Sequence, residues 1–193
     1  MELFVPIILY RTVMNLRLGV PKEPENETRV GIVPSSMKKL LKAGFEVLVE
    51  KGAGVSANYS DADYEAAGAK IVSRVDALAC ENIVCINFPG IEGISENTNL
   101  ACVADPFRNP EYVKQCISSN ITLMSMDMIP RRLSRAQSMD VNSSQDNLAG
   151  YKAVLLGAAN VPKGIPMMTT SAGTVRPAKV VVMGSGVAGL QAI

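Results

Sequence analysis

Pro177-Ala178-Lys179-Val180-Val181-Val182-Met183-Gly184-Ser185-Gly186-Val187-Ala188-Gly189-Leu190-Gln191-Ala192-Ile193 is the stretch whose reading decides the fold. Pro177 to Met183 reads as a buried strand, short, apolar and rich in valine. Three glycines in the pattern G-x-G-x-x-G follow it without a gap, and Leu190 to Ile193 opens a helix. Strand, glycine turn and helix start in that order are the fingerprint of a dinucleotide-binding unit. Gly184 permits the tight turn. Gly186 leaves room for a pyrophosphate against the backbone, with Ser185 and Val187 beside it on the same turn. Gly189 lets the helix lie close to the strand, so that its first amides and its dipole face the anion. The acidic residue that holds the adenosine ribose is expected about 20 positions further on, past Ile193. The sequence is therefore expected to carry only the opening of that unit, a fragment that binds the cofactor very weakly by itself.

Upstream of this stretch the chain alternates between β-rich and helical segments. Leu16 to Val20 reads as a strand, and Ser35 caps a helix to about Ala43 that stops at Gly44. Phe45 to Glu50 alternates as a strand does, and Gly52-Ala53-Gly54 breaks it. Asp61 caps a helix to about Ala67, Lys70 to Val72 is a short strand, and Ser73 caps the next helix. Ile83 to Ile86 is an apolar strand, Pro110 to Ser118 a helix, and Ile121 to Met124 a strand. Short apolar strands separated by helices predict an α/β fold, a Rossmann-like doubly wound parallel sheet covered on both faces. Two stretches break the rhythm: Asp127 to Ser144, polar with three arginines, and Val161 to Arg176, rich in Pro, Gly, Met and Thr. The expected division is a leader over 1–15, a Rossmann-like domain over 16–160, a linker over 161–177, and the start of an NAD-binding Rossmann domain over 178–193.

Composition narrows the function. The 193 residues carry a net charge of +1 and are 48% hydrophobic, which supports a real core and supplies none of the basic field that nucleic acid demands. Cys80, Cys85, Cys102 and Cys116 have no C-x-x-C spacing, and histidine is absent, so no metal site is expected. They read as free, mostly buried thiols of a reducing compartment. The apolar run Leu3 to Tyr10 is too short to span a bilayer and lacks the marks of a signal peptide. It reads as a disordered leader ahead of a second possible start at Met14. The chain is expected to be soluble, with no transmembrane segment.

Three segments together resemble the alanine dehydrogenase and pyridine-nucleotide transhydrogenase family. They are Gly19-Val20-Pro21-Lys22-Glu23 with Asn26-Glu27-Thr28-Arg29-Val30 and Pro34; Ser134-Arg135-Ala136-Gln137-Ser138-Met139-Asp140 with Ser143-Ser144 and Asn147-Leu148-Ala149-Gly150-Tyr151; and Ala178-Lys179-Val180 through Gly189. The middle segment is most similar to the NAD(H)-binding domain of proton-translocating transhydrogenase, whose arginine, glutamine and aspartate loop holds the nicotinamide end of the cofactor. Matched to this sequence, the resemblance implies catalytic roles for Arg132, Gln137 and Asp140. Leu133, Ser134, Ser138, Met139 and Ser143 join them in holding the cofactor, together with Gly184, Ser185, Gly186, Val187 and Gly189. The loop has one residue more than the family's usual pattern. Arg132 is matched by its distance to Gln137, and Arg131 stays the alternative. Gln137 and Asp140, three apart, would share a face on a helical turn; a solvated charged loop is the plainer reading. Arg29 corresponds to the arginine that binds the substrate carboxylate in the dehydrogenase branch, and here a structural salt bridge is an equal reading.

The two branches ask for different chemistry. Oxidising an amino acid requires a positioned acid or base, which the alanine dehydrogenases supply as a histidine and a lysine. This sequence has no histidine, and Cys85-Ile86-Asn87-Phe88 stand where the lysine would fall. Hydride transfer between two nicotinamides needs only positioning in a dry site, so the transhydrogenase branch is favoured. The resemblance then implies bound NAD(H), a homodimer, NADP(H) on a partner domain, and a membrane proton channel on further domains or subunits. The soluble part would lie on the cytoplasmic or matrix face of an energy-transducing membrane. An alanine dehydrogenase-type enzyme and an inactive truncated copy are the competing readings.

Overall fold

The structure is a computed structural model that describes residues 16–193; the leader reading for 1–15 lies outside the described residues. The chain divides into two compact units, one ending at Met128 and the other running from Ile129 to Ile193.

The first unit is built on six parallel strands: β1 Leu16–Val20, β2 Phe45–Glu50, β3 Lys70–Val72, β4 Asn82–Asn87, β5 Asn99–Val103 and β6 Thr122–Ser125. Their order is β3-β2-β1-β4-β5-β6, all neighbours parallel. The chain thus winds outward from β1 in one direction and from β4 in the other, which is the doubly wound Rossmann-like topology expected from the alternation of strands and helices. Helices α1 Met37–Lys42, α2 Asp61–Ala66, α3 Arg74–Leu78 and α4 Pro110–Ser118 complete the unit. Parallel strands buried on both faces must be almost wholly apolar, and Val20, Val47, Val49, Ile83 and Leu100 are at most 1% exposed. Burying each such side chain contributes about 1.5–3 kcal/mol. All four cysteines are free and buried.

Some local expectations shift by a residue or two. The helix expected from a Ser35 cap begins with a 3-10 turn at Pro34–Ser36 and becomes α-helical only from Met37. The cap of α2 is Ser60, not Asp61. Its hydroxyl accepts from the Asp63 amide while the Asp63 carboxylate accepts from the Ser60 amide, a capping box. Ser73 caps α3 as expected, accepting from the Asp76 amide. β5 carries no forecast in the sequence, because its five residues include Asn99 and no turn residues frame them.

The second unit contains helix α5 Val141–Asn160, a two-stranded antiparallel hairpin of β7 Met168–Thr170 and β8 Gly173–Val175, and helix α6 Val187–Ala192. Two corrections fall here. The region 127–144 is irregular only as far as Asp140, where a 20-residue helix begins. Pro177 to Met183 forms no strand, and Met183 is 96% exposed. A buried parallel strand needs neighbours to complete its backbone hydrogen bonds, and no strand among the described residues pairs with this one. Packing joins α5 to the residues after 178, whereas the sequence division groups it with the sheet before it. Among the described residues, no helix is long and apolar enough to cross a membrane.

Candidate functional site

Residues 130–140 form a compact loop, not a solvated tether. Successive backbone bonds close it: Leu133 N to Pro130 O at 3.2 Å, Ala136 N to Leu133 O at 2.8 Å, Met139 N to Ala136 O at 2.9 Å and Asp140 N to Gln137 O at 3.3 Å. Ala136 is the buried peg of this loop, 5% exposed. Arg132, Leu133, Ser134, Gln137, Ser138 and Met139 are all exposed around it. Leu133 and Met139 show 58% and 51% of their surface to solvent. An ordered loop that offers apolar and hydrogen-bonding side chains together has the chemistry of a surface that covers a ligand.

Asp140 does not share a helix face with Gln137, in contrast to what the three-residue spacing suggests. Gln137–Met139 is a 3-10 turn, and Asp140 leaves it in an extended conformation to become the N-cap of α5. Its carboxylate accepts from the Ser143 amide at 2.9 Å and from the Ser143 hydroxyl at 2.6 Å. The Ser143 hydrogen bonds, with the Arg131 charge adding to them, hold the Asp140 carboxyl below its ordinary value. The guanidinium beside Asp140 belongs to Arg131, with Nε 3.7 Å from Oδ1. Arg132 makes no ion pair among the described residues and stays exposed.

The glycine turn meets the needs read from its sequence. Gly184 has φ +123°, a conformation that side chains rarely adopt. A Cβ on Gly189 would lie 2.1 Å from the Gly184 carbonyl oxygen, so the turn can close only over a glycine there. A Cβ on Gly186 would meet nothing within 4 Å, leaving open space beside the backbone. That combination fits a phosphate-bearing group approaching the Gly186 backbone.

Helix α6, which follows this turn, lies against α5. Asn147 Nδ2 donates to Gln191 Oε1 at 2.8 Å, and a Cβ on Gly150 would stand 2.2 Å from the Ala188 carbonyl oxygen. Asp140, Asn147 and Gly150 are successive landmarks on one helix, spread over about three turns. Asn147 and Gly150 stand in the sequence motif, but without the long helix nothing marks them as the contact to the glycine turn. A helix whose apolar residues Leu148, Tyr151, Leu155 and Leu156 are exposed presents no single buried face to read.

In the first unit, a cavity of about 310 Å³ is lined by residues including Lys22, Glu23, Arg74, Cys85, Asn87 and Phe88. It sits where β1 and β4 diverge, at the carboxyl ends of the strands. Its charges are engaged locally. Glu23 accepts from the Ile86 and Asn87 amides at 2.5 and 3.1 Å, and Arg74 pairs with Glu50 at 3.0 Å. Arg29 takes the salt-bridge reading, its Nε and Nη2 donating to Glu27 at 2.8 and 2.6 Å.

The family model described as alanine dehydrogenase/PNT, N-terminal domain, matches residues 19–149, and its C-terminal companion matches 153–193. The chain is 46% identical over 189 residues to the first of the polypeptides that make up the NAD(P) transhydrogenase alpha subunit of Rhodospirillum rubrum. That alignment takes in 92% of this chain and 49% of the relative, so the chain spans about half the relative's length. The crystal structure of a transhydrogenase from Sinorhizobium meliloti superimposes with a TM-score of 0.88 at 42% identity, over 92% of this chain and 52% of that one. An L-alanine dehydrogenase structure gives 0.78 at 30% identity, over 91% and 50%.

Proposed function

The chain belongs to the alanine dehydrogenase/PNT family of nicotinamide-nucleotide oxidoreductases, and from that premise we propose that it is the NAD(H)-binding part of a proton-translocating NAD(P) transhydrogenase. In this reading Gly184, Ser185, Gly186, Val187 and Gly189 hold the pyrophosphate. Arg132, Gln137 and Asp140, with Leu133, Ser134, Ser138, Met139 and Ser143, hold the nicotinamide end. Bound there, the dinucleotide supplies the hydride that passes to a second nicotinamide, NADP⁺, on a partner domain. The part works as a homodimer, and membrane domains or subunits of the same enzyme carry the proton. It lies on the cytoplasmic or matrix face of the membrane that holds them.

The protein's own task is positioning. Asp140 is held by Ser143 and fixes the end of the loop at the head of α5. Gln137, one turn earlier, is exposed and can donate and accept at a carboxamide. Arg132, with no carboxylate partner, is free to face a phosphate or a ring. No proton needs to be moved at this site, in keeping with a chain that contains no histidine.

One observation carries the reading. Helix α5 begins at the loop aspartate and, three turns later, holds the glycine turn's helix through Asn147 and Gly150. The two halves of a dinucleotide site thus hang on one rigid element. The test is transfer of hydride from NADH to an NADP⁺ analogue by the complete enzyme, with alanine plus NAD⁺ as the parallel assay. Transfer without alanine oxidation is expected. Folded enzyme that oxidises alanine, or that transfers nothing, would overturn the reading.

A further inference from the structure

We infer that Arg131 is a positioning residue that ties the 130–140 loop to α5 through two carboxylates and so sets where Arg132 and Gln137 stand. This rests on the reading of the loop as the nicotinamide site. Arg131 Nε lies 3.7 Å from Asp140 Oδ1, and Arg131 Nη2 lies 3.5 Å from Asp146 Oδ2. The Asp140 side chain is 11% exposed, those of Arg131 and Asp146 48% each. One guanidinium therefore bridges the cap of the helix and a residue nearly two turns along it.

Arginine suits this bridge because its planar fork presents donors in two directions, whereas a lysine ammonium is a single point charge. Three arginines lie in the loop, Arg131, Arg132 and Arg135, and the two ion pairs that the described residues make with α5 both go to Arg131. The adjacent Arg132 is left unneutralised. A single inserted cation thus separates two tasks, one arginine anchoring and the other available to a ligand. Asp140 is already fixed by Ser143, so what Arg131 adds is the position of the loop, not that of the aspartate. A small displacement of groups around a reacting centre can cost up to about a hundredfold in rate, so the anchor belongs to the turnover step.

The experiment is a mutant cycle in the complete enzyme with Arg131→Leu, Asp146→Asn, both together, Arg131→Lys, and Arg132→Ala. Arg131→Leu is expected to lower kcat for hydride transfer about tenfold and to leave KM for NADH within about twofold. Arg131→Lys should recover part of the loss, and Asp146→Asn should add nothing in the Arg131→Leu background. Wild-type kcat in Arg131→Leu, or additive effects of the two changes, overturns the anchoring role. If Arg132→Ala still loses transfer in that case, the loop reading stands and only the anchor fails. If Arg132→Ala also turns over at the wild-type rate, the assignment of the loop to the nicotinamide fails with it.

Discussion

Gly150 lies so close to Ala188 that a β-carbon at position 150 would come within 2.2 Å of the Ala188 carbonyl oxygen. This contact, with the Asn147–Gln191 hydrogen bond, holds the helix of the glycine turn to the helix that starts at Asp140. It also gives a glycine inside a helix a reason to be there, since glycine there ordinarily costs about 1 kcal/mol relative to alanine.

The sign of two substitutions separates packing from propensity. Gly157 lies on the same helix, and a Cβ there would meet nothing within 4 Å. Gly157→Ala should therefore stabilise the helix by up to about 1 kcal/mol. Gly150→Ala should do the reverse, because the Ala188 backbone has to move. Thermal melts of the two variants followed by helix circular dichroism would show it. Equal gains from both changes would mean that the contact at Ala188 is not made.

Gly186 allows affinity to be changed without touching the fold. Its φ of −77° suits any residue, and open space surrounds the place of a Cβ. Gly186→Ala should fold and melt as the parent does, while filling the room that a pyrophosphate would take. NADH affinity in the complete enzyme is expected to fall about tenfold or more, ~1.4 kcal/mol. Unchanged affinity in an isothermal titration would remove the pyrophosphate from this turn.

What is legible in the sequence follows how local each signal is. The strands Leu16–Val20, Phe45–Glu50 and Lys70–Val72 and the helix Pro110–Ser118 have the bounds that their own residues predict, because apolar runs, Pro and Gly mark both ends of each. The helix Val141–Asn160 is hidden. It contains two glycines, and its apolar residues face no common side. Pro177 to Met183 misleads in the opposite way: its residues have strand propensity, but a strand exists only with a neighbour to pair with. In the site, the residue types of the loop are legible from its motif. Which of two adjacent arginines faces Asp140 depends on how the loop turns between Pro130 and Ala136, and spacing to Gln137 does not encode that.

Tyr64 offers a test of the first unit's core. Its ring is fully buried, and its hydroxyl donates to the Ile32 carbonyl at 2.8 Å. Tyr64→Phe keeps the ring and leaves that carbonyl without its partner, at a cost of about 1–3 kcal/mol. In a chain of this length a loss of 1 kcal/mol lowers Tm by about 2–4 °C. A melting temperature equal to the parent's would mean that water or another donor satisfies Ile32.

The last prediction concerns acid. Glu27 accepts from Arg29 Nε and Nη2 at 2.8 and 2.6 Å, from the Arg29 amide at 2.9 Å and from Asn87 Nδ2 at 3.3 Å. The Arg29 side chain is the main cause that holds its carboxyl down at about 2, against an ordinary value of 4.5. Because the folded value lies below the unfolded one, the ionised carboxylate stabilises the fold fully above about pH 4.5. That stabilisation is lost as the pH falls from there through about 2. Glu81, held down by Arg17, weakens over acid in the same direction, but it does so equally in a Glu27→Gln variant and cancels from the comparison. Urea midpoints of parent and variant should therefore differ most near pH 6 and converge as the pH approaches 2. A gap that stays constant across that range would show that Glu27 contributes by shape and neutral hydrogen bonding, and that its charge pairing with Arg29 does nothing for stability.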